Sequence, residues 1–165
     1  MAALETSSKE LDQEMGIATD GNQYLTFTLG DELYGVDILK VQEIKGYTAV
    51  TRIPNTPPYI KGVLNLRGTI VPIVDLRCRF NMEETKYTMF TVIVVVVVRE
   101  KVVGLIVDSV SDVLNIAKQD IQDPPEFGHQ IDTSFLNGIG KAGDKLVAVL
   151  HIERLFDETT LPGAA

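Results

Sequence analysis

The chain has no tryptophan, one cysteine and two histidines among its 165 residues. A lone cysteine, Cys78, excludes an internal disulfide and any cysteine-built metal site. Flanked by Arg77 and Arg79, it reads as a small half-buried residue. Positive charge is also scarce. Fifteen Lys and Arg stand against 23 Asp and Glu, a net charge of −8 that repels phosphate backbones and anionic membrane surfaces. No apolar run is long enough to span a membrane. The longest, Met89 to Val98, is about half the length required. The first residues hold no apolar core segment, so no secretory peptide is read and a soluble cytoplasmic protein is expected. What is plentiful is aliphatic residues. At 45% hydrophobic, the chain can bury the core of one domain or of two small subdomains.

The most informative stretch is Gly62 to Arg77. Val63–Leu66 and Thr69–Val74 are rich in aliphatic and β-branched residues and predict two strands. Arg67-Gly68 between them predicts a tight hairpin turn with Arg67 at its tip. Pro72 belongs on an edge or near a strand end, because it cannot donate to a ladder. Asp75 is placed to cap a short helix over 76–80.

Around this hairpin the pattern is many short strands. Leu25, Phe27 and Leu29 alternate with polar neighbours, and a partner strand follows the Gly30-Asp31 turn. Asp37 to Gly46 predicts a helix, with Asp37 capping, Gly46 terminating, and Ile38 and Val41 on one side. Residues 49–53 predict a strand. The valine run over 89–98 predicts a central strand buried on both faces. Further strands are expected over 102–107, 110–116 and 145–152, and a helical turn over 153–158. Residues 1–20 and 161–165 read as flexible tails around one domain over 21–160. Such a succession predicts a mainly-β barrel or sandwich, with two barrels an option because apolar clusters end near Phe80 and restart at Met89.

Catalytic chemistry has little support. Gly138, Gly140 and Gly143 form a literal G-x-G-x-x-G, but the motif leads into a strand where a dinucleotide site needs a helix. His129 is read in a loop and His151 in the final strand, without the spacing of paired metal ligands. Glu83-Glu84 and the pair Glu153 and Asp157 read as solvated surface acids. A nucleic-acid-binding small barrel is opposed by the negative charge and by the lack of basic–aromatic interleaving. What remains is display. Arg67 either pairs across the surface with Asp75 or Glu43, or serves beside apolar residues as a protein-contact hot spot.

Three ordered motifs carry a family resemblance. They are Tyr34-Gly35-x-Asp37-Ile38-x-x-Val41-x-Glu43-Ile44, the run Gly62 to Arg77, and Val102-Val-Gly104-x-x-Val107-Asp108-x-Val110-x-Asp112-Val113. Together they resemble the signature of CheW-like domains, over about residues 23 to 158. The resemblance implies two five-stranded SH3-like β-barrels around a shared hydrophobic core. It implies a non-enzymatic, cofactor-free adaptor between the cytoplasmic tip of methyl-accepting chemoreceptors and the regulatory domain of the histidine kinase CheA. That kinase domain is itself CheW-like, and such domains alternate in rings within membrane-associated receptor arrays. By position, receptor contacts would fall on Ile38, Val41, Glu43, Arg67 and Val92. A kinase contact would fall on Phe127.

Overall fold

The computed structural model describes residues 21–80, 82–83, 86–123 and 135–155. Phe127, His129, Glu84, Asp157 and both expected tails lie outside them. Strands β1 (Gly21–Leu29) and β2 (Glu32–Asp37) come first, followed by β3 (Val41–Gly46). The hairpin β4 (Ile60–Leu66) and β5 (Thr69–Asp75) leads into a single-turn helix, α1 (Leu76–Arg79). Next come β6 (Val92–Val98), β7 (Lys101–Val107), β8 (Ser109–Ala117) and the two-residue β9 (Ile121–Gln122). The hairpin β10 (Leu136–Ala142) and β11 (Lys145–Leu150) precedes a last helical turn, α2 (Ile152–Leu155).

These strands form two sheets, in the orders β8-β1-β2-β11-β10-β9 and β3-β6-β7-β5-β4. Leaving β9 aside, the two have the same plan. Each joins two antiparallel hairpins through one parallel pair, β2 with β11 and β5 with β7, and adds one edge strand. Each sheet also curls on itself. In the first, opposite edges β8 and β9 are separated by only the three-residue 3-10 turn Lys118–Asp120. In the second, an isolated bridge joins Thr51 to Val63 of edge strand β4, with Thr51 N–H to Val63 O at 3.0 Å and Val63 N–H to Thr51 O at 2.8 Å. The mainly-β class expected from the strand pattern is observed, in two sheets of six and five strands where the family resemblance implies two five-stranded units.

The second sheet is a contiguous insertion, β3 to β7, between β2 and β8 of the first. The chain therefore crosses between subdomains twice, at Ile38–Lys40 and at Asp108. Between the sheets lies the largest core, with Phe27, Leu29, Tyr34 and Val36 from one side and Val94, Val96, Val98, Val103 and Leu105 from the other. Each subdomain has a smaller core of its own. Ile93, Val95, Ile73 and Val71 fill one, and Ile116, Val147 and Val149 fill the other. Strand period explains the valine run. Val94, Val96 and Val98 feed the shared core while Ile93 and Val95 feed the second subdomain's own.

Three expectations fail. Asp37 to Gly46 is not a helix but one 3-10 turn, Ile38–Lys40, followed by strand β3. The cap signal is genuine, since the Asp37 carboxylate accepts from Leu39 N–H at 2.9 Å. The helix formers after it are overridden by pairing with β6, which satisfies the backbone and partly buries Val41. Residues 49–53 likewise contribute only the single bridge at Thr51. The valine strand also starts later than expected, because residues before Val92 form a turn.

The hairpin at Arg67-Gly68 is as expected. Both residues have positive φ, 51° and 89°, the type I′ geometry whose twist matches the strands. The Asn65 side chain adds a lock by accepting from Gly68 N–H at 2.8 Å. Pro72 lies in the half of β5 that pairs only with β4, one residue before pairing with β7 begins at Ile73. Asp75 is buried and caps α1, accepting from Arg77 N–H at 2.9 Å and from the Tyr87 hydroxyl at 2.7 Å. The glycine motif is architectural. A Cβ at Gly138 would lie 2.4 Å from the Gln122 carbonyl oxygen, and one at Gly140 would lie 3.0 Å from Ile116 Cδ1. Both glycines let neighbouring strands approach closely.

The second crossing is pinned electrostatically. Arg77 grips Asp108 with Nε to Oδ1 at 2.7 Å and Nη2 to Oδ2 at 2.5 Å. Asp108 also accepts from Gly30 N–H at 2.8 Å, so one carboxylate ties α1 to the β1–β2 turn of the other subdomain. Burial pushes the Asp108 carboxyl up, but hydrogen bonds from Arg77 and Gly30 and the guanidinium charge leave it below its ordinary value. Stability from this group is therefore present above the ordinary carboxylate range. It is lost as pH falls through the lowered folded value. Arg77→Ala is expected to cost about 1–3 kcal/mol at neutral pH and less in acid, measured by urea unfolding at both pH values. An unchanged midpoint at neutral pH would remove this role. At the β6–β7 turn, Arg99 and Glu100 occupy positive φ, 48° and 68°, without a glycine. Glu100→Gly is expected to stabilise the fold by about 0.5–1 kcal/mol, and a lower urea midpoint would contradict that reading.

Candidate protein-docking site

The first crossing carries the residues that the family resemblance singled out. Ile38 sits in the crossing turn, Val41 opens β3 and Val92 opens β6. All three are partly buried against the shared core. Ile38 and Val41 lie at the crossing, and Val92, opposite Gly46, lies on the same face at the other end of the β3–β6 ladder, so the apolar rim runs along β3. The ladder between β3 and β6 carries a bulge. Val41 lies opposite Val96, Glu43 lies opposite Val95, and Gln42 is the extra residue. Val41 therefore follows Val96 toward the shared core, while Glu43 follows Val95 to the other face. Without the bulge, residues two apart would share a face.

Glu43 is met there by Arg67. The Arg67 guanidinium donates to the Glu43 carboxylate across the two edges of the second sheet, from the β4–β5 tip to β3. Of the two partners open at the outset, Arg67 takes Glu43, because Asp75 is committed to the α1 cap and to Tyr87. The Arg67 side chain remains 69% exposed and Glu43 25%. The Arg67 hydrogen bond lowers the Glu43 carboxyl pKa against a smaller effect of burial, and the same bond raises the pKa of Arg67. Both stay charged at neutral pH. An exposed pair of this kind adds little stability, and its guanidinium keeps free edges for a second acceptor.

Sequence reasoning missed Ile44. It lies opposite Val94, so it points to the same side as Val41, and it is 45% exposed. Its place on the rim follows from the β3–β6 register, which a helical reading of that segment could not supply. Lys40 anchors the crossing turn from below, its Nζ 3.0 Å from Glu153 Oε1 at the start of α2. Phe127, the expected kinase contact, lies outside the described residues.

The remaining candidates take structural positions. His151 follows β11, and its backbone N–H donates to Phe135 O at 2.8 Å. Cys78 is half-buried in α1. Among the described residues, no three His, Cys, Asp or Glu side chains are grouped to hold a metal, and no helix is long and apolar enough to cross a membrane. The site's chemistry is that of a contact surface: an apolar rim with a charged pair at its margin.

The chain is similar to known proteins over most of its length. Residues 23–160 match the CheW-like domain family. The chain is 48% identical over 156 residues to the chemotaxis protein CheW of Klebsiella aerogenes, covering 94% of this chain and 91% of that protein. It is 40% identical to a probable chemotaxis protein CheW of Rhizobium etli, covering 83% and 88%. The crystal structure of the scaffolding protein TtCheW from Thermoanaerobacter tengcongensis superposes with a TM-score of 0.77 at 37% identity, covering 83% of this chain and 88% of that one. The chain belongs to the CheW-like domain family, a family of chemotaxis proteins.

Proposed function

We propose that this chain is a non-enzymatic chemotaxis adaptor. It couples the cytoplasmic tip of methyl-accepting chemoreceptors to the regulatory domain of the histidine kinase CheA, and it works in the cytoplasm at membrane-associated receptor arrays. The observation that carries the reading is the apolar rim of Ile38, Val41 and Val92, which ends at the exposed Arg67–Glu43 pair. A partner helix with an apolar stripe would seat against the rim, and the pair would set register and discriminate charge. Phe127 is the proposed kinase contact. Similarity to chemotaxis proteins over most of the chain supports the same reading. Signalling on this account changes packing across the two interfaces, and the adaptor makes and breaks no covalent bond.

Arg67→Ala in the full chain is expected to weaken binding to a receptor cytoplasmic fragment by about tenfold, while the thermal midpoint and the affinity for the CheA regulatory domain stay unchanged. Titration calorimetry with each partner separately reads both affinities. Unchanged receptor affinity in the folded variant would remove Arg67 from the interface.

A further inference from the structure

The turn that leads into β6 shows an arrangement that the fold does not require. Met89 is 89% exposed and Phe90 67%, side by side. Single exposed apolar residues are ordinary, but this pair is held outward by a rigid frame. Thr88 N–H donates to the Thr91 hydroxyl at 2.8 Å, and Phe90 N–H donates to the Thr88 hydroxyl at 3.0 Å. Thr91 N–H donates to Thr88 O at 3.2 Å. The turn is also fixed to its surroundings. Tyr47 N–H donates to Thr91 O at 3.0 Å, just past the end of β3, and the Tyr47 and Tyr87 rings lie 4.4 Å apart. The hydrogen bonds that shape the turn thus use the side chains of Thr88 and Thr91, and the Met89 and Phe90 side chains stay exposed.

We propose that Met89 and Phe90 extend the receptor-docking rim and seat an apolar stripe on the receptor's helical hairpin. The inference rests on the receptor-binding reading given above. Its basis is continuity. Val92, the rim residue, follows Phe90 by two positions, and the Tyr47–Thr91 hydrogen bond ties the turn to β3, which carries Val41 and Ile44. The chemistry suits a helical partner. A thioether adapts to an irregular surface, and an aromatic ring offers a large contact area while fixing only two side-chain torsions on binding. Rigid display removes part of the ordering cost that a flexible loop would meet on docking.

The test uses the full chain with Met89→Ser and Phe90→Ser together, beside Arg67→Ala. Each is titrated against the receptor cytoplasmic fragment and against the CheA regulatory domain. The double serine variant is expected to lose about tenfold in receptor affinity with kinase-domain affinity and thermal midpoint unchanged, and the corresponding double leucine variant to keep receptor affinity. If Arg67→Ala weakens the receptor complex and the serine variant does not, the extension falls and the rim stands. If neither variant weakens it, the receptor reading itself falls. Loss confined to the kinase domain would assign the turn to that partner. Loss of self-association in sedimentation, with receptor affinity intact, would assign it to a second copy. A lowered thermal midpoint would show that the side chains are packed rather than displayed. Each of these last three results overturns the proposal.

Discussion

One strand must be apolar on both faces, and much of the molecule depends on that. β6 lies between the shared core and the second subdomain's own core, so successive residues from Ile93 to Val96 are all buried. Side chains that alternate across a strand cannot hide a polar residue there, and β-branched residues suit the pleat. Full burial of each such side chain contributes about 1.5–3 kcal/mol. The same requirement explains why the sequence is so uniform at this point. It also makes β6 the fixed reference against which β3, and with it Val41, Glu43 and Ile44, is positioned.

The two crossings between subdomains are handled differently. At Asp108 the chain is pinned by a bidentate guanidinium and a backbone N–H from the other subdomain. A second pin lies nearby. The Arg79 guanidinium sits 4.7 Å from the Tyr59 ring centroid and 4.4 Å from that of Phe135, with Nε donating to Leu155 O at 2.7 Å. At Ile38–Lys40 the chain is held by apolar packing and by the exposed Lys40–Glu153 pair, and apolar side chains remain on the surface. The electrostatic crossing serves architecture. The apolar one leaves the surface on which we place the proposed partner. The rim at this crossing is built from the crossing turn and from β3 and β6 of the second sheet.

Much of this was legible in the sequence because it is written in local chemistry. The Arg67-Gly68 turn, the Asp75 cap and the two-faced valine strand each rest on a few neighbouring residues. Asp37 to Gly46 misled for the same reason. Its cap and helix formers are local signals, and the pairing that overrode them comes from Val92–Val98, about fifty positions later. The bulge at Gln42, which sends Val41 and Glu43 to opposite faces, is equally a property of the pair of strands. The rim residues were singled out by family motif rather than by periodicity. Ile44 and the Met89–Phe90 turn became visible only once exposure and register were known.

We place the receptor on the rim at the first crossing rather than on any other surface. Methyl-detected NMR of the full chain, titrated with the receptor cytoplasmic fragment, tests that placement most directly. The largest shift changes are expected at the methyl groups of Ile38, Val41, Ile44 and Val92, with those of Leu146 and Val149 on the β10–β11 hairpin unmoved. Changes centred on that hairpin, with the rim silent, would contradict it.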